Sequence, residues 1–212
     1  MNAGKYEKGQ KAAIKILDAA EDLLIDEGYQ SLSIRRIASR CGITPGNLQY
    51  YFPSKDILLE ALLNKIIQGY LEEFERLRQD AGIDPVMQLK AVLTHVITDL
   101  NNKRTTHFFP EVWALSNHES SITNSLDEMY GAYRDVIKEI VIKINPLISE
   151  ERATDLALFI TASLEGHTIF IGHGKPWRKK TPVIIEMAIE SFTDLIKKGE
   201  PVADKFQQGV GD

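Results

Sequence analysis

Apolar residues recur along this chain with the period of a helix. Ala13, Ile16, Leu17, Ala20, Leu23 and Leu24 fall at i, i+3, i+4, i+7 spacing, and Gly28 follows as a stop. Ile34, Ile37, Ala38 and Cys41 make a shorter face that ends at Gly42. Thr44 then stands as an N-cap before Pro45, with Ile43 and Leu48 placed as a hydrophobic staple. Pro53 stops this helix, and Ser54 caps a long one predicted to run to about Asp80. Further starts stand at Asp84-Pro85, at Ser149 before Glu150 and Glu151, and at Thr181-Pro182. Tyr133, Val136, Ile137, Ile140, Val141 and Ile144 keep helical spacing despite their β-branching. No strand pair is predicted. The expected fold is all-α, with about nine helices: three short ones, a long connector and a larger C-terminal bundle. The residues from about Gly199 onward read as a frayed end.

Composition narrows the class. Of 212 residues, 43% are hydrophobic and 26% charged, so a packed core is expected and disorder over the whole chain is excluded. The single cysteine, Cys41, excludes an intramolecular disulfide. Met1–Gln10 is polar and lacks the apolar segment of a secretory signal. The most apolar long stretch, Ala157–Gly172, is interrupted by Glu165 and His167 and is too short to span a membrane. A cytoplasmic protein without a membrane partner is expected.

The net charge is −5, but it is unevenly placed. Residues 1–60 hold 8 bases and 8 acids, whereas the rest holds 17 bases and 22 acids. Between Tyr29 and Lys55 lie Arg35, Arg36, Arg40 and Lys55 and no acid. Charge alone favours a solvated mixed surface over a nucleic-acid footprint.

Residues 33–52 read as helix, tight turn, helix. Gly42 suits a left-handed turn, and Ala38 is small where two helices cross. This is the layout of a DNA-binding helix-turn-helix, whose second helix enters the major groove. One detail favours DNA over a plain hairpin. Arg35, Arg36 and Lys55 fall in first turns, where the helix dipole prefers acids. A phosphate would complete each site. Thr44, Asn47, Gln49, Tyr50 and Tyr51 add hydrogen-bonding groups for phosphates and base edges, the alternative being that the tyrosines pack in the core.

The run from Leu32 to Leu62, LSIRRIASRCGITPGNLQYYFPSKDILLEAL, resembles the DNA-binding domain of TetR-type transcriptional regulators. The signs are a Ser-opened helix with Ile-Ala, a Gly-Ile turn, a short helix ending in three aromatics, and a Lys two residues after Pro53. The resemblance implies a helix-turn-helix domain over 1–55 and a ligand-binding and dimerisation domain over 56–212. It implies DNA backbone contacts from Ser33, Tyr50, Tyr51 and Lys55, and groove contacts from Arg35, Thr44, Gly46, Asn47 and Gln49. Gln49 stands where a tyrosine is common, and Tyr51 where a histidine is common; Gln49 can pair with adenine and shift sequence preference. The lysines Lys5, Lys8, Lys11 and Lys15 read either as a flexible arm on DNA or as a solubilising tail.

Beyond Leu62 the residues say less. Leu156, Phe159, Ile160, Ser163 and Leu164, with Ile184, Ile185, Ala188 and Phe192, make two apolar faces. Either they form intrachain core or they pair with a second copy as a four-helix interface, which the resemblance favours. Such a homodimer would read a palindrome in double-stranded DNA. Phe74, His95, Phe108, Phe109, Trp113, Tyr130, Tyr133 and His167 are candidate walls for a small-molecule effector, with core packing as the competing role. Gly69 interrupts the long helix as a flexible point or a place of close packing. No catalytic residue, cofactor or metal is expected. His107, Glu111 and His118 leave a metal-dependent hydrolase as one rival, and a helical adaptor without DNA binding as another. The expected function is a ligand-responsive repressor.

Overall fold

A computed structural model describes residues 3–199, with side chains described from Glu7 onward. The expected frayed end beyond Gly199 and the Lys5 side chain lie outside the described residues. Among these residues ten α-helices occur and no strand. They are α1 (Ala3–Glu27), α2 (Ile34–Cys41), α3 (Pro45–Tyr51), α4 (Lys55–Asp80), α5 (Pro85–Asp99), α6 (Lys103–Ser116), α7 (Ser120–Ile144), α8 (Glu150–Gly166), α9 (Thr168–Ile171) and α10 (Thr181–Lys198). Single 3-10 turns stand at Tyr29–Ser31 and Arg178–Lys180. The extra helix relative to expectation is the one turn of α9, set off from α8 at His167.

The expected caps start the helices. Ser33, Thr44, Ser54 and Ser149 each accept a hydrogen bond from the backbone N–H three residues on, and Asp84 from that of Val86. Gly42 closes α2 in the left-handed conformation at φ 70°, while the Ile43 N–H donates to the Ala38 carbonyl at 3.0 Å. Lys15 donates from α1 to the Cys41 carbonyl at 3.0 Å, which caps α2 from outside.

Two apolar cores divide the molecule. The first gathers α1, α2, α3 and the first half of α4, and it also takes Phe108, Phe109, Val112 and Leu115 from α6 and Ile122, Leu126 and Met129 from α7. The second joins the end of α4 to α5, α7, α8 and α10. A boundary at residue 55 therefore cuts ahead of Leu58, Leu59, Leu62 and Leu63, which belong to the first core.

Two expectations are corrected. The N-terminal lysines are not a flexible arm from residue 3 on, because α1 begins there; Lys11 pairs with Glu7 at 2.8 Å, and Lys15 caps α2. Leu156, Ile160 and Leu164 do not face outward. They are at most 1% exposed in the chain's own core, with Ala188 and Phe192 also buried. The α8 residues on the opposite face, Leu158 and Phe159, are exposed instead. Period 3.6 marks both faces as apolar, and packing against α7 takes the first.

No residue approaches the position of a Gly42 Cβ, so Gly42→Ala tests backbone strain alone. It should cost about 1–2 kcal/mol and lower the melting temperature by roughly 2–8 °C. An unchanged melting temperature would show that the left-handed turn contributes nothing to stability.

Candidate nucleic-acid interface

The first core fixes how α2 and α3 meet. Ile37, Ala38, Cys41 and Leu48 are buried between them, with Ile43 packed at the edge. The rest of α3 up to Tyr50 is left outward. Thr44, Pro45, Gly46, Asn47, Gln49 and Tyr50 are all exposed, and Tyr50 is 81% exposed despite its ring. An aromatic so fully in water contributes little to the fold. Tyr51 is different. It is half-buried against the first core and meets Tyr50 edge to face at 5.2 Å. The Ser33 and Thr44 hydroxyl oxygens accept from the Arg36 and Asn47 N–H groups, which leaves each O–H free to donate outward.

The bases sort into free and engaged. Arg35, in the first turn of α2, is exposed and stands clear of the carboxylates that hold its neighbour. Arg36 is paired with Glu27, and Arg40 with Asp26 at 2.9 Å. The dipole mismatch at Arg36 is thus answered within the chain by a carboxylate from the end of α1. Lys55 rests its ammonium 3.5 Å from the centre of the Tyr29 ring, with no carboxylate engaging it. Arg35, Lys55 and the α3 face form one polar surface with unneutralised positive charge. Its layout is that of a helix-turn-helix reading head.

Residues 16–62 match the family described as bacterial regulatory proteins, tetR family. An HTH-type transcriptional regulator in the dhlA 5′ region of Xanthobacter autotrophicus is 31% identical over 169 residues, covering 77% of this chain and 82% of that protein. The chain belongs to the TetR family. A transcriptional regulator from Rhodococcus sp. Rha1 shares the fold, with a TM-score of 0.73 at 20% identity over 88% of this chain and 96% of that one. So does a TetR transcription regulator from Haloarcula marismortui, with a TM-score of 0.67 at 16% identity over 90% and 96%. This is a helix-turn-helix transcriptional regulator and not an enzyme, which sets the hydrolase and adaptor readings aside.

The rest of the TetR-family chain encloses two adjoining cavities. A cleft of about 330 Å³ is lined by α1, α4, α5 and α6, with Glu21, Gly69, Tyr70, His95 and Arg104 among its walls. A smaller recess of about 50 Å³ lies between α4, α5, α6, α7 and α8. Tyr70, Asp99, Thr105 and Phe109 line both. Phe74, Tyr130 and Tyr133 line the recess, and His95 and Phe108 the cleft. Trp113 and His167 line neither. Trp113 donates to the Tyr130 hydroxyl at 2.8 Å from behind, and His167 caps α8 at the start of α9. A Cβ on Gly69 would meet nothing within 4 Å, so this glycine borders open space and does not serve close packing. His107 and Glu111 are occupied: Glu111 accepts from the Tyr29 N–H at 2.9 Å, and the His107 ring lies 3.3 Å from the Ile25 carbonyl. No group of three His, Cys, Asp or Glu is placed to hold a metal among the described residues. No described helix is long and apolar enough to cross a membrane.

Sequence reading missed Tyr70, Asp99, Thr105 and Glu165. Asp99 accepts from the Tyr70 hydroxyl at 2.7 Å and from Thr105 at 2.6 Å. Burial pushes the Glu165 carboxyl up to about 7, against a hydrogen bond from Tyr130. The one early signal was Glu165 itself, an acid inside the most apolar stretch of the chain.

A carboxyl raised in the folded state keeps its proton there at pH values where the unfolded chain has lost it. Its contribution therefore turns unfavourable as pH rises from the usual glutamate range through about 7. Glu165→Gln should leave stability unchanged at pH 4 and raise it at pH 8, by up to about 3 kcal/mol. Denaturant midpoints at the two pH values check this; an equal effect at both would place the carboxyl in water.

Proposed function

We propose that this regulator is a homodimeric, ligand-responsive repressor that binds a palindromic operator and is released by a small molecule. The observation that carries the DNA part is the α3 face, where six solvent-facing positions, interrupted only by the buried Leu48, end in an outward-standing tyrosine. Asn47 and Gln49 offer the amide pairs that read base edges, and Gln49 suits adenine. Gly46 lets the backbone come close to the groove wall. Ser33, Thr44, Tyr50, Lys55 and Arg35 surround them as phosphate donors, with Tyr51 holding Tyr50 in place.

The dimer reading rests on the outward faces of α8, α9 and α10. Leu158, Phe159, Ile169, Phe170 and Met187 are all more than half exposed. Phe159 touches Phe192 edge to face at 6.0 Å, so the α8 and α10 faces are continuous. An apolar patch of this extent on adjacent helices suits a self-complementary four-helix contact. Of the interface residues expected from sequence, Phe159, Ser163, Ile184 and Ile185 keep some exposure and fit it. The ligand reading rests on the two cavities beside α6, whose other side holds α1 of the reading head. A ligand acts there only through unequal affinity for the DNA-competent and released arrangements.

Selection of bound genomic fragments by the purified protein tests the reading. A recurring palindrome is expected. Arg35→Ala should weaken binding to all fragments and reduce the salt slope by about 1 for each phosphate that is no longer neutralised, whereas Gln49→Ala should change the preferred sequence. Arg36→Ala should do neither. Fragments with no shared sequence would overturn sequence-specific regulation.

Phe159→Asp combined with Met187→Glu should give a folded monomer by sedimentation and lose affinity for the palindrome while keeping weak binding to its half-site. A dimer that survives both substitutions would place the interface elsewhere.

A further inference from the structure

The smaller recess holds charge that nothing answers. Its lining contains Asp99 and Glu165 and no Lys, Arg or His. The Asp99 carboxylate is met by neutral donors, the Tyr70 and Thr105 hydroxyls and, at 3.4 Å, the Asn102 side-chain amide, and by no cation. The Tyr130 hydroxyl oxygen accepts from Trp113 at 2.8 Å, which leaves its O–H free to donate within the recess that Glu165 also lines. Tyr133, at the end of the same recess, has a buried hydroxyl with no protein partner. Two inward carboxyls without a counter-ion are costly to keep in an apolar site unless a ligand supplies the charge.

The walls define that ligand further. Phe74 and Tyr133 lie with ring centres 5.1 Å apart, and Tyr70 stands 6.3 Å from Phe74 and 5.9 Å from Phe109. With Tyr130 these rings surround the recess on several sides. Aromatic faces and edge carboxylates together attract a cation that is weakly hydrated. Size sets the head group. A water needs roughly 10–15 Å³ by this measure, so the recess, at about 50 Å³, takes about four heavy atoms. That matches a nitrogen bearing three small alkyl groups, with the fourth substituent left to lead past Tyr70 toward the larger cleft.

Building on the ligand-responsive reading above, we propose that the recess binds an organic cation through an alkylated ammonium head held by Glu165, Asp99 and the surrounding rings. An anionic ligand would face two carboxyls and no base. A neutral one would leave Asp99 uncompensated. Burial pushes the Glu165 carboxyl up to about 7, and an arriving cation favours loss of its proton.

Calorimetric titration of the full-length protein with trimethylammonium, tetramethylammonium and neutral neopentyl alcohol, at matched ionic strength, tests this. The cations should bind, with the neutral alcohol at least about tenfold weaker. Glu165→Gln should lower affinity for tetramethylammonium by about tenfold or more, and Glu165→Asp should recover part of it, while binding of the selected DNA fragment without ligand stays as in the wild type. Equal binding of the neutral alcohol, or no binding of either ammonium up to about 10 mM, overturns the cation site. The same samples carrying the DNA fragment separate the two readings. Ammonium binding without DNA release supports the site and overturns the effector role. Release by the neutral alcohol alone keeps ligand response and overturns the cation.

Discussion

The seam between α1 and α6 is what makes one molecule of two cores. Glu21, buried on α1, is shared by Lys65 of α4 and Arg104 of α6. One turn further along α1, Asp26 lies between Arg40 of the helix-turn-helix and Lys103 of α6, at 2.9 and 2.8 Å. The backbone joins in: Glu111 accepts the Tyr29 N–H just past the end of α1, where a helix has no partner of its own to offer. Beneath these ion pairs the side chains of Phe108, Phe109 and Val112 complete the first core. A buried acid such as Glu21 is tolerable only while both its cations stay in place. The reading head is therefore seated by polar contacts that a small displacement of α6 would break, over an apolar layer that would survive it.

Local chemistry made the reading head legible. The caps Ser33, Thr44 and Ser54, the left-handed Gly42 and the Pro45 start are each decided within four residues, and each stands where its spacing places it. Arg36 was not legible, because its partner Glu27 belongs to another helix and the turn at Tyr29–Ser31 had to fold before the two could meet. The two adjacent tyrosines show the same limit. One position of helical rotation separates a ring in water from one against the core, and the sequence Tyr50-Tyr51 carries no mark of which is which.

The C-terminal part was legible as helices and not as surfaces. α8 is apolar on both sides: Leu156, Ile160 and Leu164 on one, Leu158 and Phe159 on the other. Periodicity reports that two faces exist. Only the position of α7 decides which is inside. The cavity residues were hidden for a different reason. Tyr70, Asp99, Thr105 and Glu165 come from four helices, and their grouping is a product of packing that no local spacing encodes.

α6 is where the seam and the cavities share atoms of one short segment. Arg104 holds Glu21 of the reading head, and the next residue, Thr105, donates to Asp99 at the wall of both cavities. Pro110 breaks the hydrogen-bond ladder of this helix further along, so its first turn is less firmly tied to the rest. Under the proposed ligand response, a ligand that draws on Asp99 would compete with the Thr105 hydroxyl for the same carboxylate. Any shift of Thr105 carries Arg104 with it, since neighbouring residues on a helix move as one. The coupling free energy needed to release an operator is about 1–3 kcal/mol, on the scale of one or two charged hydrogen bonds. Under that proposed response, the polar contacts, rather than the apolar layer beneath them, are the part of this seam suited to regulation.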